Sequence, residues 1–582
     1  FGNTGSRGSE MEYLELINGN LPKDKSNLFD GIDTSWNRVK GGKAIGDILK
    51  KVQENYDFKN PSASIPELMK AYQLISKLDN QHWKTIKLED IKNVIAACAG
   101  LYLEAAADSN TATPNNKVAL KLEAINRSPQ NMTLNSVSLS DGNTVQKSIE
   151  LKQNDSQRFD AEFTVAASTA VSTPYWLNEK GTLGMYNVKD QMLIGLQETP
   201  HLTTVTFNLT IAGQTISYSK PIIYKTNDAV KGEVYKPFEI LPEVSAKVAE
   251  KVIIFETDKQ KDIPVLVKAG KDNLEGYVQM AYPNGWKVYP DKQKIEIKNK
   301  GEEQTLLFTV IPPKEQSEGL LTPMVHIGEN VYTKELVEID YDHIPLQTVL
   351  LPSESKIVRL DIKKRGENIA YIEGAGDVVP ESLRQIGYNV AIIKPENISQ
   401  ETLSHFDAVV VGIRAYNTVD ALKFKQQALY DFVEQGGNLI VQYNTSRGLI
   451  MNDLAPYQLE LSRDRVTDEN AEVRFLNPEH ELMNFPNKIT PKDFEGWTQE
   501  RGLYFPDKWG KEFTPLLSIN DKGESPKDGS LLVAKYGKGH YIYTGLSFFR
   551  EFPEGVSGAY RLFANMLSIG KENIKTDKKL ND

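Results

Sequence analysis

Cysteine occurs once in 582 residues, at Cys98, so this chain can build neither a disulfide framework nor a cysteine-based metal site. Histidine is scarce and scattered. His82, His201, His326, His343, His405, His480 and His540 never fall at the H-x-x-x-H or turn spacing that a zinc site needs, and no His-Pro pair occurs. Asp342-His343 and Glu479-His480-Glu481 put acid and histidine side by side, and both read as solvated turns. No apolar run approaches the roughly 18 residues of a transmembrane helix. Net charge is -10 with lysines interleaved among acids, so the basic stripe of a nucleic-acid-binding protein is absent too. The chain opens at Phe1 with neither a methionine nor a charged-then-apolar signal region, and is expected to be a fragment or processed piece. Cysteine poverty suits an exported bacterial protein, placed in the periplasm, on the outer surface or outside the cell.

The length calls for several domains, since a single core stops growing at roughly 250–300 residues. Residues 1 to about 40 are rich in Gly, Asn, Asp and Ser and read as loop with one short helix over Ser9 to Leu16. Gly5-Ser6-Arg7-Gly8-Ser9 within it is a turn or an anion cradle. From Ala44 to Ala107 the apolar spacing becomes helical: Ile45, Ile48, Leu49 and Val52, then Leu68, Tyr72, Ile75 and Leu78, then Ile91, Val94, Ile95, Cys98 and Leu101. Cys98 is read there as a small buried apolar residue. The period switches to two at Val118, Leu120, Leu122 and Ala124 and returns at Val205, Phe207, Leu209 and Ile211, which predicts an antiparallel sandwich. A second sandwich follows Lys236-Pro237, with Val252 to Phe255, Ile263 to Val267, and Leu306, Phe308 and Val310. Its Pro283-Asn284-Gly285-Trp286 and Gly301-Glu302-Glu303 segments resemble the Ig-like modules appended to bacterial glycan-active enzymes. From about Ile357, short apolar runs at Ile369–Ile372, Val390–Ile393, Ala408–Val411 and Leu439–Val441 alternate with helical segments, as in a parallel doubly wound sheet. The expected units are therefore 1–112, 113–230, 231–352 and 353–582.

Four constellations bear on chemistry. Glu373-Gly374-Ala375-Gly376 follows a strand but lacks the third glycine of a dinucleotide fingerprint, Val379 standing in its place, so it reads as a tight turn where Glu373 and Asp377 face a ligand. Tyr443-Asn444 closes the strand that ends at Val441. The C-terminal region resembles the class I glutamine-amidotransferase-like fold, and its ThuA-like relatives in particular; that family places a nucleophilic cysteine at this turn, and this chain has none there. The histidines form no site. Last, Arg414, Tyr416, Asn417, Tyr443, Asn444, Trp497, Glu500, Arg501, Tyr504 and Arg550 combine rings that stack on sugars with heads that hydrogen-bond hydroxyls, at positions expected to emerge at the carboxyl edge of the sheet. With Glu373 they are the candidate ligand-binding residues; the alternative is a packed interface or a buried ion-pair network. No residue is assigned a catalytic or metal-binding role.

Asp493-Phe494-Glu495-Gly496-Trp497 with Glu500-Arg501-Gly502-Leu503-Tyr504-Phe505-Pro506, Val411 to Asn417, and Tyr543 to Arg550 together resemble the C-terminal part of large PIG-L/LmbE-like deacetylases of Bacteroidetes. Phe1 to Ser9, Pro174-Tyr175-Trp176-Leu177 and Gly555 to Phe563 extend the likeness over most of the chain. It implies a zinc-dependent deacetylase of N-acetylated sugars, whose zinc ligands come from a His-Pro-Asp-Asp motif and a later histidine. That motif is missing, so the zinc and the catalytic domain are expected upstream of Phe1, and the chain itself needs no cofactor.

The fold expected is thus multidomain α+β: a helical N-terminal segment, two antiparallel Ig-like β-sandwiches, and a C-terminal doubly wound α/β domain of flavodoxin/amidotransferase type. Its expected function is that of an accessory region, glycan-binding or scaffolding, whose partners are a glycan or N-acetylated sugar and its own catalytic domain. Two alternatives remain: a carbohydrate-active hydrolase using Glu373, Glu500 or His540, and a structural component of the bacterial surface.

Overall fold

The computed structural model describes residues 8–571 except 183 and 452, and the Phe1–Arg7 part of the N-terminal glycine-serine segment lies outside them. The chain is a β-rich multidomain α+β protein with two compact units, Phe1–Glu243 with Val337–Val349, and Val244–Leu336 with Leu350–Asp582. Among the described residues no helix is long and apolar enough to cross a membrane.

In the first unit, residues 8–35 form turns and extended chain, not the helix expected over Ser9 to Leu16. Met11, Tyr13, Leu14 and Ile17 are exposed there, so a helix would have no face to bury. Helices Gly42–Glu54, Ile65–Ser76 and Gln81–Ala99 follow. The third starts where Asn80 Oδ1 accepts from Trp83 N, and stops at Gly100, whose left-handed φ of 55° lets its N–H reach back to Ala96 and Ala97. Cys98 is half-buried on this helix and unpaired. Beyond Gly100 the chain turns extended: Tyr102–Ala107 is a strand in a five-stranded sheet, paired with Lys117–Ile125 and Ile223–Asp228, not a continuation of helix. Leu120, Leu122 and Phe163 of this sheet share one core with Leu134, Phe207 and Leu209 of a four-stranded sheet and with Ile65, Met69 and Ile95 of the helices. Alternate residues of Lys117–Ile125 are buried, as the period of two requires.

The second unit begins with another pair of sheets. Val265 and Phe308 from one, and Val278, Ile295 and Ile357 from the other, close a core around Trp286, whose Nε1 donates to Ser317 Oγ at 3.1 Å. Next comes a seven-stranded sheet whose strands we label β1 (Asn368–Ile372), β2 (Asn389–Ile392), β3 (Ala408–Val411), β4 (Asn438–Val441), β5 (Phe513–Pro515), β6 (Leu531–Tyr536) and β7 (Gly539–Thr544); their order is β2-β1-β3-β4-β7-β6-β5. The first five in that order are parallel; β6 runs antiparallel to β7, and β5 at the edge runs antiparallel to β6. Both faces are covered. Ile369, Tyr371, Val410, Ile440 and Ile542 pack under Leu562, Phe563 and Met566 of the helix Ser557–Ser568. Ala370, Ile372, Val409, Val411 and Leu439 pack under Leu429, Phe432 and Val433 of Leu422–Glu434. This two-sided burial is why these strands read as unbroken apolar runs. Ile254, Val358 and Leu360 of the preceding sheets lie in the first of these two cores.

Candidate functional site

The carboxyl ends of β1, β3, β4 and β7 are adjacent, so Glu373, Arg414, Tyr443 and the Leu546–Arg550 segment leave the sheet along one edge. Gly374 lets the first two loops touch: a Cβ there would lie 2.1 Å from Ile413 O. Asn417 and Asn444 lock the next two. Asn417 Nδ2 donates to Thr445 O (3.1 Å) and Arg447 O (3.2 Å), and its Oδ1 accepts from Thr445 N (2.9 Å). Asn444 Oδ1 accepts from Tyr416 N at 2.9 Å, and Tyr416, fully buried, donates its hydroxyl to Gln426. These three residues are framework. Their spacing marks the loops, while their side chains are used up in holding them.

On that framework stands an aromatic patch. The Tyr443 ring lies between Tyr504 (centroids 6.3 Å apart, 11° between planes) and Phe549 (5.2 Å, 34°), above Ile413 and Leu503. Tyr443 is 8 % exposed, and its hydroxyl has no hydrogen-bond partner among the described residues. Burial raises its pKa, against the pull of Arg414 and Arg550. Glu500, 2 % exposed, is clamped by Arg465 Nη2 at 2.5 Å and by Arg550 Nε at 3.0 Å. Arg550 also reaches Gln499 Oε1 and lies 4.9 Å from the Phe549 ring centre. Arg414 is exposed, its N–H donates to Tyr443 O at 2.8 Å, and its guanidinium makes no ion pair or hydrogen bond among the described residues.

Three residues at this patch, Arg414, Gln499 and Tyr504, have positive φ (56°, 65° and 52°), though none is glycine. Such backbone costs about 1–3 kcal/mol per residue and persists only where the surroundings over-determine it.

Trp497 and Arg501 lie in the core beneath. Trp497 Nε1 donates to Asp493 O (2.9 Å), and Arg501 donates to Ala471 O through Nε and Nη2 and to Phe494 O through Nη1; burial brings its pKa down to about 10. The dense Asp493–Pro506 segment thus spends much of its polar chemistry on itself, with Asp493 capping its own turn and pairing Arg561 at 2.5 Å. Asp377 accepts from Tyr371 OH (2.6 Å), Val379 N and Ile413 N, and its carboxyl is pushed upward by burial. Glu373 is exposed at the end of β1. His540 pairs in register with Asn438 at the amino end of β4, the opposite end from Tyr443. Phe549, Gln499 and Arg465 escape sequence reasoning. Only the register of Arg465 opposite Leu503 brings it to Glu500.

Among the described residues no three His, Cys, Asp or Glu side chains converge as metal ligands, so the residues present do not fit the zinc that the sequence resemblance implies. A recess of 910 Å³ lined by Tyr430, Tyr457 and Tyr536 shares no residue with the Tyr443 patch.

No family model and no curated protein matches the chain. Solved structures give partial likenesses: an exo-beta-1,4-mannosidase of an Opitutaceae bacterium (14 % identity, 35 % of this chain and 35 % of that one, TM-score 0.22); alpha-2-macroglobulin of E. coli in its native conformation (13 %, 46 % and 17 %, 0.17); and a family 123 glycoside hydrolase of Clostridium perfringens (9 %, 34 % and 48 %, 0.12). The chain spans about a third of the mannosidase and less than a fifth of the macroglobulin. TM-scores this low leave fold and function to be argued from the chain itself.

Proposed function

We propose that this chain is the glycan-binding accessory region of an exported deacetylase of the PIG-L kind, and that it holds its sugar at the Tyr443 patch without transforming it. The observation that carries the reading is the clustering of three left-handed, non-glycine residues around one aromatic patch with unpartnered polar tips. Folding alone gives no reason to concentrate that cost at one end of a sheet, and the carboxyl edge is where open α/β sheets bind ligands. Ring faces suit the apolar faces of sugars, and the Tyr443 hydroxyl and Arg414 suit their oxygens.

The reading takes the seven-stranded domain as amidotransferase-like and the two preceding sheet pairs as Ig-like spacers. Tyr443 stands where such domains carry their nucleophile, and Glu500, the carboxylate that acts on its phenol, is held by two guanidinium groups. Zinc and the deacetylating chemistry belong to the catalytic domain that is the chain's proposed partner. Against the hydrolase alternative weigh Glu500, whose two oxygens are occupied by two guanidinium groups, and His540, at the other end of the sheet.

The test is calorimetric titration of the chain with neutral, N-acetylated and acidic oligosaccharides, followed by mass analysis of the recovered sugar. Binding that Tyr504→Ala removes, with sugar mass unchanged, is expected. Turnover that Glu500→Gln abolishes would establish the hydrolase instead.

A further inference from the structure

Resting on that reading, we infer that the Tyr443 patch selects sugars bearing an anionic substituent, carboxylate or sulfate, and that Arg414 is the residue that selects them. The charge pattern argues for it. Three guanidinium groups, those of Arg414, Arg465 and Arg550, stand around the patch, and two of them are committed to Glu500. Glu469, the other carboxylate beside Gln499, accepts from that residue's N–H at 2.5 Å. Arg414 alone keeps its full set of donors free. Glu373 flanks it on the β1 side, away from Tyr443, and no ion pair joins the two.

A neutral sugar does not need this. Its hydroxyls are served by any polar side chain, and a Gly, Asn or Asp would hold the left-handed position at lower cost than arginine. The planar fork of a guanidinium matches the paired oxygens of a carboxylate or sulfate, and beside a ring platform it fixes both the charge and the orientation of the sugar. Tyr443, whose carbonyl holds the Arg414 N–H, brings to the same patch a hydroxyl with no hydrogen-bond partner among the described residues. The chain as a whole carries -10, so its long-range field repels such ligands and the affinity must come from this local cation.

The test compares trigalacturonate, its methyl ester and a sulfated galactose trisaccharide by calorimetry on the whole chain, at low and at physiological salt. Trigalacturonate is expected to bind at least tenfold tighter than its ester, with the preference shrinking as salt rises. Arg414→Gln should remove the preference, bringing the acid and ester affinities to within about twofold of each other, whereas Tyr504→Ala should weaken both. Sulfated sugar binding as tightly as the uronate means the site reads charge, and weaker binding means it reads carboxylate; both support the inference. Equal affinity for acid and ester, or an Arg414→Gln chain that keeps the preference, overturns it while leaving the carbohydrate reading intact. Failure of all three sugars to bind the folded chain overturns the inference, and failure of the neutral and N-acetylated oligosaccharides as well overturns the reading it rests on.

Discussion

The hydroxyl of Ser547 has one hydrogen and three oxygens within reach: Glu500 O at 2.6 Å, Glu551 Oε1 at 3.2 Å and Arg501 O at 3.3 Å. Shared among three acceptors, that hydrogen gives the buried Glu551 carboxyl only part of one donor. Burial, opposed by Thr498 N, Ser547 and Arg501, raises the Glu551 pKa from 4.5 to about 8. A folded pKa above the unfolded one favours the fold fully below pH 4.5, and that contribution is lost as pH rises through 8. Glu551→Gln keeps a donor and cannot ionise. Its melting temperature should match wild type near pH 5 and exceed it increasingly toward pH 8, whereas parallel curves would contradict the protonated assignment. Arg414 supplies a second test at this scale. Arg414→Gly relieves the left-handed backbone and should raise stability by about 0.5–1 kcal/mol in denaturant titration, while the preference for acidic over neutral sugar is lost. Trp497→Ala should do the reverse, costing about 3–5 kcal/mol and leaving affinity unchanged in whatever fraction stays folded.

At the scale of elements, helix Ser557–Ser568 seats on the turn Pro491–Phe494 through Gly558, where a Cβ would meet Asp493 O at 1.9 Å. Gly558→Ala must push the helix off that turn and loosen the Asp493–Arg561 pair. A loss of about 1–3 kcal/mol is expected, read as a lower urea midpoint; an unchanged midpoint would show the contact to be slack. The same segment shows what sequence makes legible. The apolar runs of β1, β3 and β4 disclose a sheet buried on both faces, and alternation at Val118–Ala124 discloses a sheet buried on one, because burial writes its period into the chain. Tyr102–Ala107 misleads, since alanines favour helix, and only the stop at Gly100 and a partner strand on either side make it extended. For the site, Arg414, Tyr443 and Tyr504 announce themselves by being polar or aromatic at strand ends. Whether such a residue faces the ligand or the framework depends on partners distant in sequence: Asn417 finds Thr445, Trp497 finds Asp493, and Glu500 finds Arg465 through a bulged register. No local pattern carries that information.

At the scale of the whole molecule, the seven-stranded domain does not close its core alone. Ile254, Val358 and Leu360 from the preceding sheets fill it, Gly555 lies under Val252, and Arg561 Nη1 donates to Gln316 Oε1 at 2.8 Å. A fragment of residues 353–582 therefore lacks Ile254 and is expected to melt lower than residues 244–582, or to aggregate; equal melting temperatures would show that the shared core adds nothing. This coupling also stiffens the scaffold behind the carboxyl edge, as a site with strained backbone requires. The central claim is that this edge, at Tyr443, is a sugar site, and a crystal structure of the whole chain soaked with trigalacturonate tests it most directly. The account predicts a sugar ring lying on Tyr504 or Phe549 with its carboxylate on Arg414. Sugar found instead in the recess lined by Tyr430, Tyr457 and Tyr536, or an empty Tyr443 patch at saturating ligand, would contradict it.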